Sequence, residues 1–326
     1  MNEFKKVKSA AGLSSKYLDT SWKSFFVPFR DHFKDCPVTQ VTKDQCHKYI
    51  YKHKNWNTTT VATHIRHLSV LYNFAVETGY ATLNPFTRLQ RPKKPQSKSR
   101  DKVMKVEAVR MYLQFALDRG YKAEVASLVL VFFCGVRVDE VERVKWDDIR
   151  LTDDTPVVLI EEPKIAHQRR VNALPSNAIA WLELVKGEGR VAPGNYSERM
   201  KNLRKRFRTY LRKEADKLKL DGKARDEYVD DMDYKQNSAR ISFASYHVAM
   251  YEDPSQTSLL LGHQNPTLLW NTYRALVTKA DAERYWNIYP NRESADITPI
   301  TYEMIRETRA RRIAKALAAA PTRTEA

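Results

Sequence analysis

The chain has 326 residues, enough for two domains, and it carries 56 Lys and Arg against 39 Asp and Glu. A net charge of +17 with 42% hydrophobic residues is a foldable composition, which excludes wholesale disorder and indicates a polyanionic partner. The longest unbroken apolar run, Leu128 to Cys134, is too short to cross a membrane. Nucleic acid is therefore the predicted partner, and a merely basic soluble protein is the alternative.

The amino terminus and the cysteines indicate where such a protein works. The first residues lack the apolar stretch of a signal peptide. The three cysteines, Cys36, Cys46 and Cys134, do not have the spacing of metal ligands and cannot all pair. We expect an intracellular protein with no disulfide scaffold, no bound metal and no membrane association.

Residues 1–90 are predicted to form a small all-helical domain. Apolar side chains recur at helical spacing and predict a helix from about Thr59 to Glu77, namely Val61, Ile65, Leu68, Tyr72 and Ala75. Thr58 to Thr60 offer capping chemistry at its start. An aromatic-rich first helix, interrupted near Pro28, precedes a shorter helix from Lys43 to His53.

Residues 91–105 read RPKKPQSKSRDKVMK and predict a basic linker. Two prolines disfavour a helix, and the like charges repel one another, so the segment is expected to be extended. It is either a solvated tether or a strap that lies across phosphates, and its place between two folded regions slightly favours the strap. The DNA-binding candidates there are Lys93, Lys94, Lys98 and Arg100.

The rest of the chain is predicted to be mostly helical with one small antiparallel sheet. Helices are expected over Val106–Asp118, over the uniformly apolar Glu124–Phe133, from Asp139 and over Ser197–Leu220. Strands are expected at Ile149–Leu151, Val157–Ile160 and Arg170–Leu174. Residues 106–290 are interpreted as a catalytic domain, and residues 291–326 as a tail with one amphipathic helix.

Two basic residues lie where they could act on a phosphate. Arg137 stands between a glycine break and a new helix, and a guanidinium at that position can bind a phosphate or pair with a nearby acid such as Glu140. Lys164 lies in the turn between the last two strands, where it is either solvated or able to protonate a leaving oxygen. Arg169 and Arg170 follow it and are candidates for phosphate contacts.

A third group of candidates is compact in sequence. Asn237-Ser238-Ala239-Arg240 precedes an apolar helix, Leu261-Gly262-His263 follows, and Tyr273 comes ten residues after His263. A lone histidine after glycine is more often a cap, and a lone tyrosine is more often packing.

Taken together, these motifs resemble the tyrosine recombinase (phage integrase) family. They comprise the string G-x-R-x-x-E from Gly135 to Glu140, the hairpin lysine, the arginine box, the L-G-H string and the following tyrosine. The first ninety residues are similar to the helical core-binding domain of that family, including Asn84-Pro85 near its end. The resemblance implies a mainly helical fold, with a helical core-binding domain and a mostly helical catalytic domain that contains a small antiparallel sheet.

The resemblance also implies roles for individual residues. Arg137 and Arg240 match the phosphate-binding arginines, Lys164 the general acid, His263 the second-box histidine and Tyr273 the nucleophile. The chain departs from the family pattern at Asn237 and Ile241, where histidine is frequent, and its spacing from His263 to Tyr273 is one residue longer than is common. An amide at position 237 can donate to a phosphate oxygen but cannot transfer protons near neutral pH.

The implied function is site-specific DNA recombination or integration through a 3′-phosphotyrosyl intermediate, without metal, ATP or another cofactor. Its partners would be double-stranded DNA and further copies of the chain, forming a tetramer on two DNA sites in the cytoplasm of a prokaryotic cell, associated with the nucleoid. A catalytically impaired DNA-binding protein of the same fold and a type IB topoisomerase-like enzyme remain as alternatives.

Overall fold

A computed structural model describes residues 2–290 apart from Asp35, Arg88, Arg91, 93–101, 162–168 and 263–275. The chain divides into two compact units, residues 1–97 and 98–326, and the division falls within the stretch predicted to be a linker. No helix in the described part is long and apolar enough to span a membrane. The elements below are numbered in chain order among these residues.

The described part of the first unit consists of helices and the loops that connect them. It comprises α1 (Asn2–Ala10), α2 (Ser15–Ser21), α3 (Val27–His32), α4 (Lys43–Tyr51) and α5 (Thr58–Glu77). The apolar stripe predicted for α5 is confirmed, because all five of its side chains are buried in the core of this unit. The cap differs from the prediction, since Asn57 precedes the three threonines and its side chain accepts a hydrogen bond from the Thr60 N–H.

The predicted interruption at Pro28 is wrong. The backbone stays helical from Ser15 to His32, with a π-helical turn at Trp22–Phe26 between α2 and α3. In that turn the Val27 N–H bonds to the Trp22 carbonyl, five residues back. Pro28 is the second residue of α3 and directly follows this wider turn, which accommodates its ring. The sequence analysis also missed α1, whose Phe4 is buried in the core of the first unit.

A ladder of aromatic rings runs through the first unit and contains two buried histidines. His64 stacks on Trp56 with ring centroids 3.8 Å apart, and His67 stacks on Phe25 at 4.2 Å. The His67 Nδ1 lies 3.1 Å from the hydroxyl of buried Ser21. Burial lowers the pKa of His64 to about 4, with smaller contributions from the positive charges of His53 and His67.

The second unit contains nine described helices and one sheet. The helices are α6 (Val106–Asp118), α7 (Lys122–Cys134), α8 (Val138–Val141), α9 (Ser176–Leu184), α10 (Tyr196–Lys217), α11 (Gly222–Met232), α12 (Ser238–Tyr251), α13 (Pro254–Leu261) and α14 (Lys279–Trp286). The sequence analysis did not predict α9, α11 or α14, and α8 ends earlier than expected, at Val141.

The predicted central helix is confirmed as α7. Every residue of it from Glu124 to Cys134 is buried, and it packs against α6, α9 and α12. The one buried charge among these residues, Glu124, is ion-paired to Arg199 of α10 at 2.6 Å. Because α7 is covered on all sides, its carboxyl end lies inside the unit and its last carbonyl groups need internal partners.

The predicted small antiparallel sheet is confirmed, with boundaries shifted by one residue. Its strands are β1 (Ile149–Arg150), β2 (Val157–Glu161) and β3 (Arg169–Ala173), in the order β1-β2-β3. In the register of β2 and β3, Val158 faces Asn172 and Glu161 faces Arg169. Asn172 is 1% exposed and so lies on the side of β3 that faces the core.

Acidification should destabilise the first unit through His64. The folded-state pKa of this histidine lies below its ordinary value of 6.5. The neutral imidazole therefore makes its full contribution to the free energy of unfolding above pH 6.5, and this contribution is lost as the pH falls towards 4. Between pH 7 and about pH 4.5 the loss is about 2 kcal/mol. Thermal unfolding of the full chain over this range should show it. His64→Phe should reduce this pH dependence and leave the smaller part due to His67, whose pKa burial also lowers, whereas His47→Phe, at an exposed histidine, should retain all of it.

Substitution of Gly135 by alanine should destabilise the second unit far more than the same change at Gly120. Both glycines have positive φ, 66° and 73°, but a Cβ on Gly135 would lie 2.6 Å from the Phe243 ring and one on Gly120 would meet nothing within 4 Å. We expect a loss of about 3 kcal/mol at Gly135 against about 1 kcal/mol at Gly120. Urea denaturation measures both, and equal losses would contradict the close approach.

Candidate active site

The carboxyl end of α7 is the first component of the candidate site. Gly135 ends the helix in the left-handed conformation, with φ at 66°. Its Cα faces the Phe243 ring of α12 so closely that no side chain would fit there. The carbonyl groups of Cys134 and Gly135 therefore point out of the helix end and accept hydrogen bonds from side chains elsewhere in the unit.

Arg137, the first predicted site residue, follows directly and precedes α8. Its guanidinium is ion-paired to Glu140 at 2.5 Å, and its backbone N–H donates to the other Glu140 oxygen at 2.8 Å. The Glu140 side chain is 5% exposed against 37% for Arg137. The pairing with a near acid that the sequence allowed is therefore confirmed, and part of the arginine side chain remains exposed.

Arg137 also binds a distant part of the chain. Its Nη2 donates to the carbonyl oxygen of Gly262 at 2.6 Å. Gly262 ends α13 in the left-handed conformation, with φ at 60°, as Gly135 ends α7. His263, another predicted site residue, follows Gly262 directly but lies outside the described residues.

Arg240 approaches the same place from the first turn of α12. Its two terminal nitrogens donate to the carbonyls of Gly135 and Leu261, so this one guanidinium bridges the ends of α7 and α13. Since Leu261 and Gly262 are adjacent, Arg240 and Arg137 bind consecutive carbonyl groups. The structure thus brings together the two arginines that the sequence analysis selected.

Asn172 is a residue of this site that the sequence analysis missed. From β3, its Nδ2 donates to the carbonyls of Cys134 at 2.8 Å and Leu260 at 3.0 Å. It bridges the same two helix ends, one residue upstream of the pair bridged by Arg240. The available signal was an amide at an inward position of a predicted strand, where an apolar residue is typical.

We call the backbone oxygens of Cys134, Gly135, Leu260, Leu261 and Gly262 the carbonyl cluster. The last carbonyls of a helix have no partner within it, and the helix dipole makes that end negative. Two such ends side by side attract donors and positive charge. Arg137, Arg240 and Asn172 supply both, so the cluster holds two guanidinium groups at one place in the fold.

Asn237 lies one turn before Arg240, at the start of α12. It is exposed and adopts a left-handed conformation with φ at 65°. Its carbonyl accepts the Ile241 N–H at 3.1 Å, and its side chain makes no capping hydrogen bond. Asparagine tolerates this conformation better than most residues, which gives a local reason for its presence here.

The remaining predicted residues lie outside the described residues or are described by their backbone alone. Lys164, Tyr273 and the four linker cations, Lys93, Lys94, Lys98 and Arg100, lie outside the described residues, as does His263. Arg169 and Arg170 belong to β3 and pair with Glu161 and Ile160, and only their backbone is described. Within the described ranges, no group of three His, Cys, Asp or Glu side chains is arranged to hold a metal.

The chain after Tyr273 is anchored by α14. Tyr285 of this helix is fully buried, donates its hydroxyl to the Phe132 carbonyl at 2.5 Å and stacks on Tyr246. Burial raises the pKa of Tyr285 well above its ordinary value. Tyr289 is 9% exposed and its hydroxyl lies 2.7 Å from that of Ser176. Both hydroxyls make hydrogen bonds within the fold.

The fold has counterparts among solved structures. A fragment of the integrase of transposon Tn1549, in complex with transposon right-end DNA, is 15% identical over 95% of this chain and 97% of its own, with a TM-score of 0.59. Lambda integrase as a tetramer bound to a Holliday junction is 16% identical over 91% of this chain and 78% of its own, with a TM-score of 0.60.

A shorter lambda integrase, a dimer bound to a COC′ core site, is 14% identical over 82% of this chain and 94% of its own, with a TM-score of 0.57. No protein-family model matches the sequence, and no curated protein matches it either. The likeness therefore concerns the fold. The two integrases are tyrosine recombinases, and the mainly helical chain with its small three-stranded sheet has the tyrosine recombinase fold.

Proposed function

We propose that the protein is a site-specific DNA recombinase or integrase that cuts and rejoins DNA through a 3′-phosphotyrosyl intermediate, without metal or ATP. The observation that carries the proposal is the carbonyl cluster, which holds Arg137 and Arg240 on consecutive carbonyl groups. Two fixed guanidinium groups are suited to the two non-bridging oxygens of one phosphodiester. In this proposal, residues 106–290 form the catalytic domain and residues 1–90 the core-binding domain.

The proposed reaction is a transesterification at phosphorus. The Tyr273 hydroxyl gives up its proton to water as its oxygen attacks and forms a phosphotyrosyl bond with the 3′ side, while the bond from phosphorus to the 5′ oxygen breaks. Lys164 supplies the proton that makes the leaving oxygen a 5′-hydroxyl. Arg137, Arg240 and His263 stabilise the negative charge that develops on the phosphate. The ester energy is retained in the phosphotyrosine, so the reverse attack by a 5′-hydroxyl rejoins the strand without ATP.

Asn237 takes a supporting position in this scheme. Because it is exposed at the turn before Arg240, its amide can donate to a phosphate oxygen. It cannot exchange protons near neutral pH as a histidine would. We therefore assign all proton transfer to the other residues and expect Asn237→His to be tolerated in cleavage.

DNA binding in this proposal comes from charge that is spread along the chain. The net charge of +17, the linker residues Lys93, Lys94, Lys98 and Arg100, and the strand residues Arg169 and Arg170 supply phosphate contacts. The structural counterparts are DNA complexes, which supports double-stranded DNA as the partner. The proposed location is the cytoplasm of a prokaryotic cell, in association with the nucleoid.

We also propose that the protein works as a tetramer on two DNA sites. Lambda integrase forms a tetramer on a Holliday junction. In this chain, residues 291–326 include a stretch with apolar Ile305, Ile313 and Leu317 that would dock on a neighbouring protomer. A contact between different surfaces of successive protomers closes into a ring and can couple one active site to the next.

Tyr273→Phe should abolish covalent attachment to DNA and leave DNA affinity almost unchanged, because it removes the nucleophile but no phosphate contact. Nicked duplexes covering the DNA on either side of the gene, resolved on a denaturing gel, detect the adduct. Tyr289→Phe is the matched control and should retain it, since that hydroxyl is engaged with Ser176. An adduct that survives in Tyr273→Phe would contradict the assignment. Absence of any adduct from the unchanged protein would favour the catalytically impaired DNA-binding protein.

Deletion of residues 299–326 should leave single-site binding and cleavage near normal and abolish both the tetrameric complex and recombination. The reason is that the tail contributes to assembly between protomers rather than to one active site. Native gel shifts on one and two sites, with a strand-exchange assay, measure these effects. Exchange between two duplexes also separates a recombinase from a type IB topoisomerase. Loss of single-site binding in the truncated protein would show that the tail belongs to its own domain.

A further inference from the structure

We infer that Asn172 is a positioning residue that holds the ends of α7 and α13 at the spacing at which Arg137 and Arg240 meet. Its Nδ2 lies 2.8 Å from the Cys134 carbonyl and 3.0 Å from the Leu260 carbonyl, and it carries one hydrogen for each. The expected effect of Asn172 on catalysis rests on the function proposed above, whereas its role in holding the two helix ends together does not.

The orientation of this amide follows from its surroundings. The opposite orientation would place Oδ1 against two carbonyl oxygens at the negative ends of two helices, and these groups would repel one another. An aspartate would meet the same repulsion, and a lysine or arginine would bury a charge on the inward side of β3. Asparagine is therefore well suited to bridge two acceptors here with one short neutral side chain.

Stability alone does not explain an asparagine at this position. The residue is 1% exposed and faces the fully buried Val158 across the sheet, an environment that suits an apolar side chain. Within the described part of the chain its Oδ1 has no hydrogen-bond partner, and an unpaired buried acceptor is destabilising. What the amide provides in return is the link between the two helix ends.

The link acts on the arginines because the contacts are consecutive along both helix ends. Asn172 joins Cys134 to Leu260, and Arg240 joins the next residue of each end. Arg137 binds the residue after that on α13. Without the amide bridge the two ends can separate, and the guanidinium contacts that span them loosen together.

The first test measures arginine accessibility and needs neither DNA nor activity. Phenylglyoxal modifies unprotected guanidinium groups, and peptide mapping by mass spectrometry gives the rate at each arginine. In Asn172→Ala we expect Arg137 and Arg240 to react several-fold faster than in the unchanged protein, with exposed Arg212 of α10 as the internal reference. Asn177→Ala is the matched control, because Asn177 is a fully buried asparagine of α9 whose Oδ1 accepts the neighbouring Ala178 N–H instead of bridging the two helix ends.

The second test separates positioning from binding. On the nicked duplexes, adduct formation by Asn172→Ala should slow by about tenfold, the equivalent of about 1.4 kcal/mol, while DNA affinity stays within about twofold. Asn177→Ala should retain the rate. If Asn172→Ala folds poorly, Asn172→Val removes both donors and keeps a side chain that suits a buried strand.

Each outcome tests either the inference about Asn172 or the proposed function. Unchanged phenylglyoxal rates at Arg137 and Arg240, or equal increases in Asn177→Ala, would overturn the inference. A normal rate of adduct formation in both Asn172 variants would overturn its catalytic consequence. Absence of an adduct from the unchanged protein would overturn the proposed function, and the phenylglyoxal rates would still decide whether Asn172 holds the arginines.

Discussion

The candidate site depends on two helices that end side by side. Carbonyl groups at two helix ends repel each other unless donors lie between them, and burial of α7 removes water as a source of those donors. Arg137, Arg240 and Asn172 take that place. The hydrogen bonds that join the two helix ends thus also concentrate positive charge where the proposed chemistry needs it.

The hydrophobic core controls this arrangement through glycine. Both helices end on a glycine in the left-handed conformation, Gly135 and Gly262. At Gly135 the aromatic ring of Phe243 fills the space of a side chain, so α12 comes close enough for its Arg240 to reach the cluster. The packing distance between α7 and α12 therefore determines where the guanidinium group of Arg240 lies relative to the carbonyl cluster.

The segment that carries His263 and Tyr273 is anchored on both sides by the same central helix. Its first end is Gly262, which Arg137 holds next to the end of α7. Beyond its other end, α14 packs on α12, and the Tyr285 hydroxyl donates to Phe132 of α7. The two arginines and both flanks of the segment that carries His263 and Tyr273 are thus all positioned relative to helix α7.

The sequence by itself determined the elements with strong periodicity and the residues with local signatures. The stripe of α5, the apolar α7 and the three strands were predicted within one or two residues, because side-chain spacing along the chain carries that information. Arg137 and Arg240 were selected as candidate site residues from short motifs. The π-helical turn before Pro28 and helices α1, α9, α11 and α14 were missed, because short or weakly patterned elements depend on the packing of their neighbours. Only the tertiary structure placed Arg137 against Gly262, 125 residues away in sequence, and assigned a role to Asn172, because which backbone carbonyls need a donor depends on where two helices end in space.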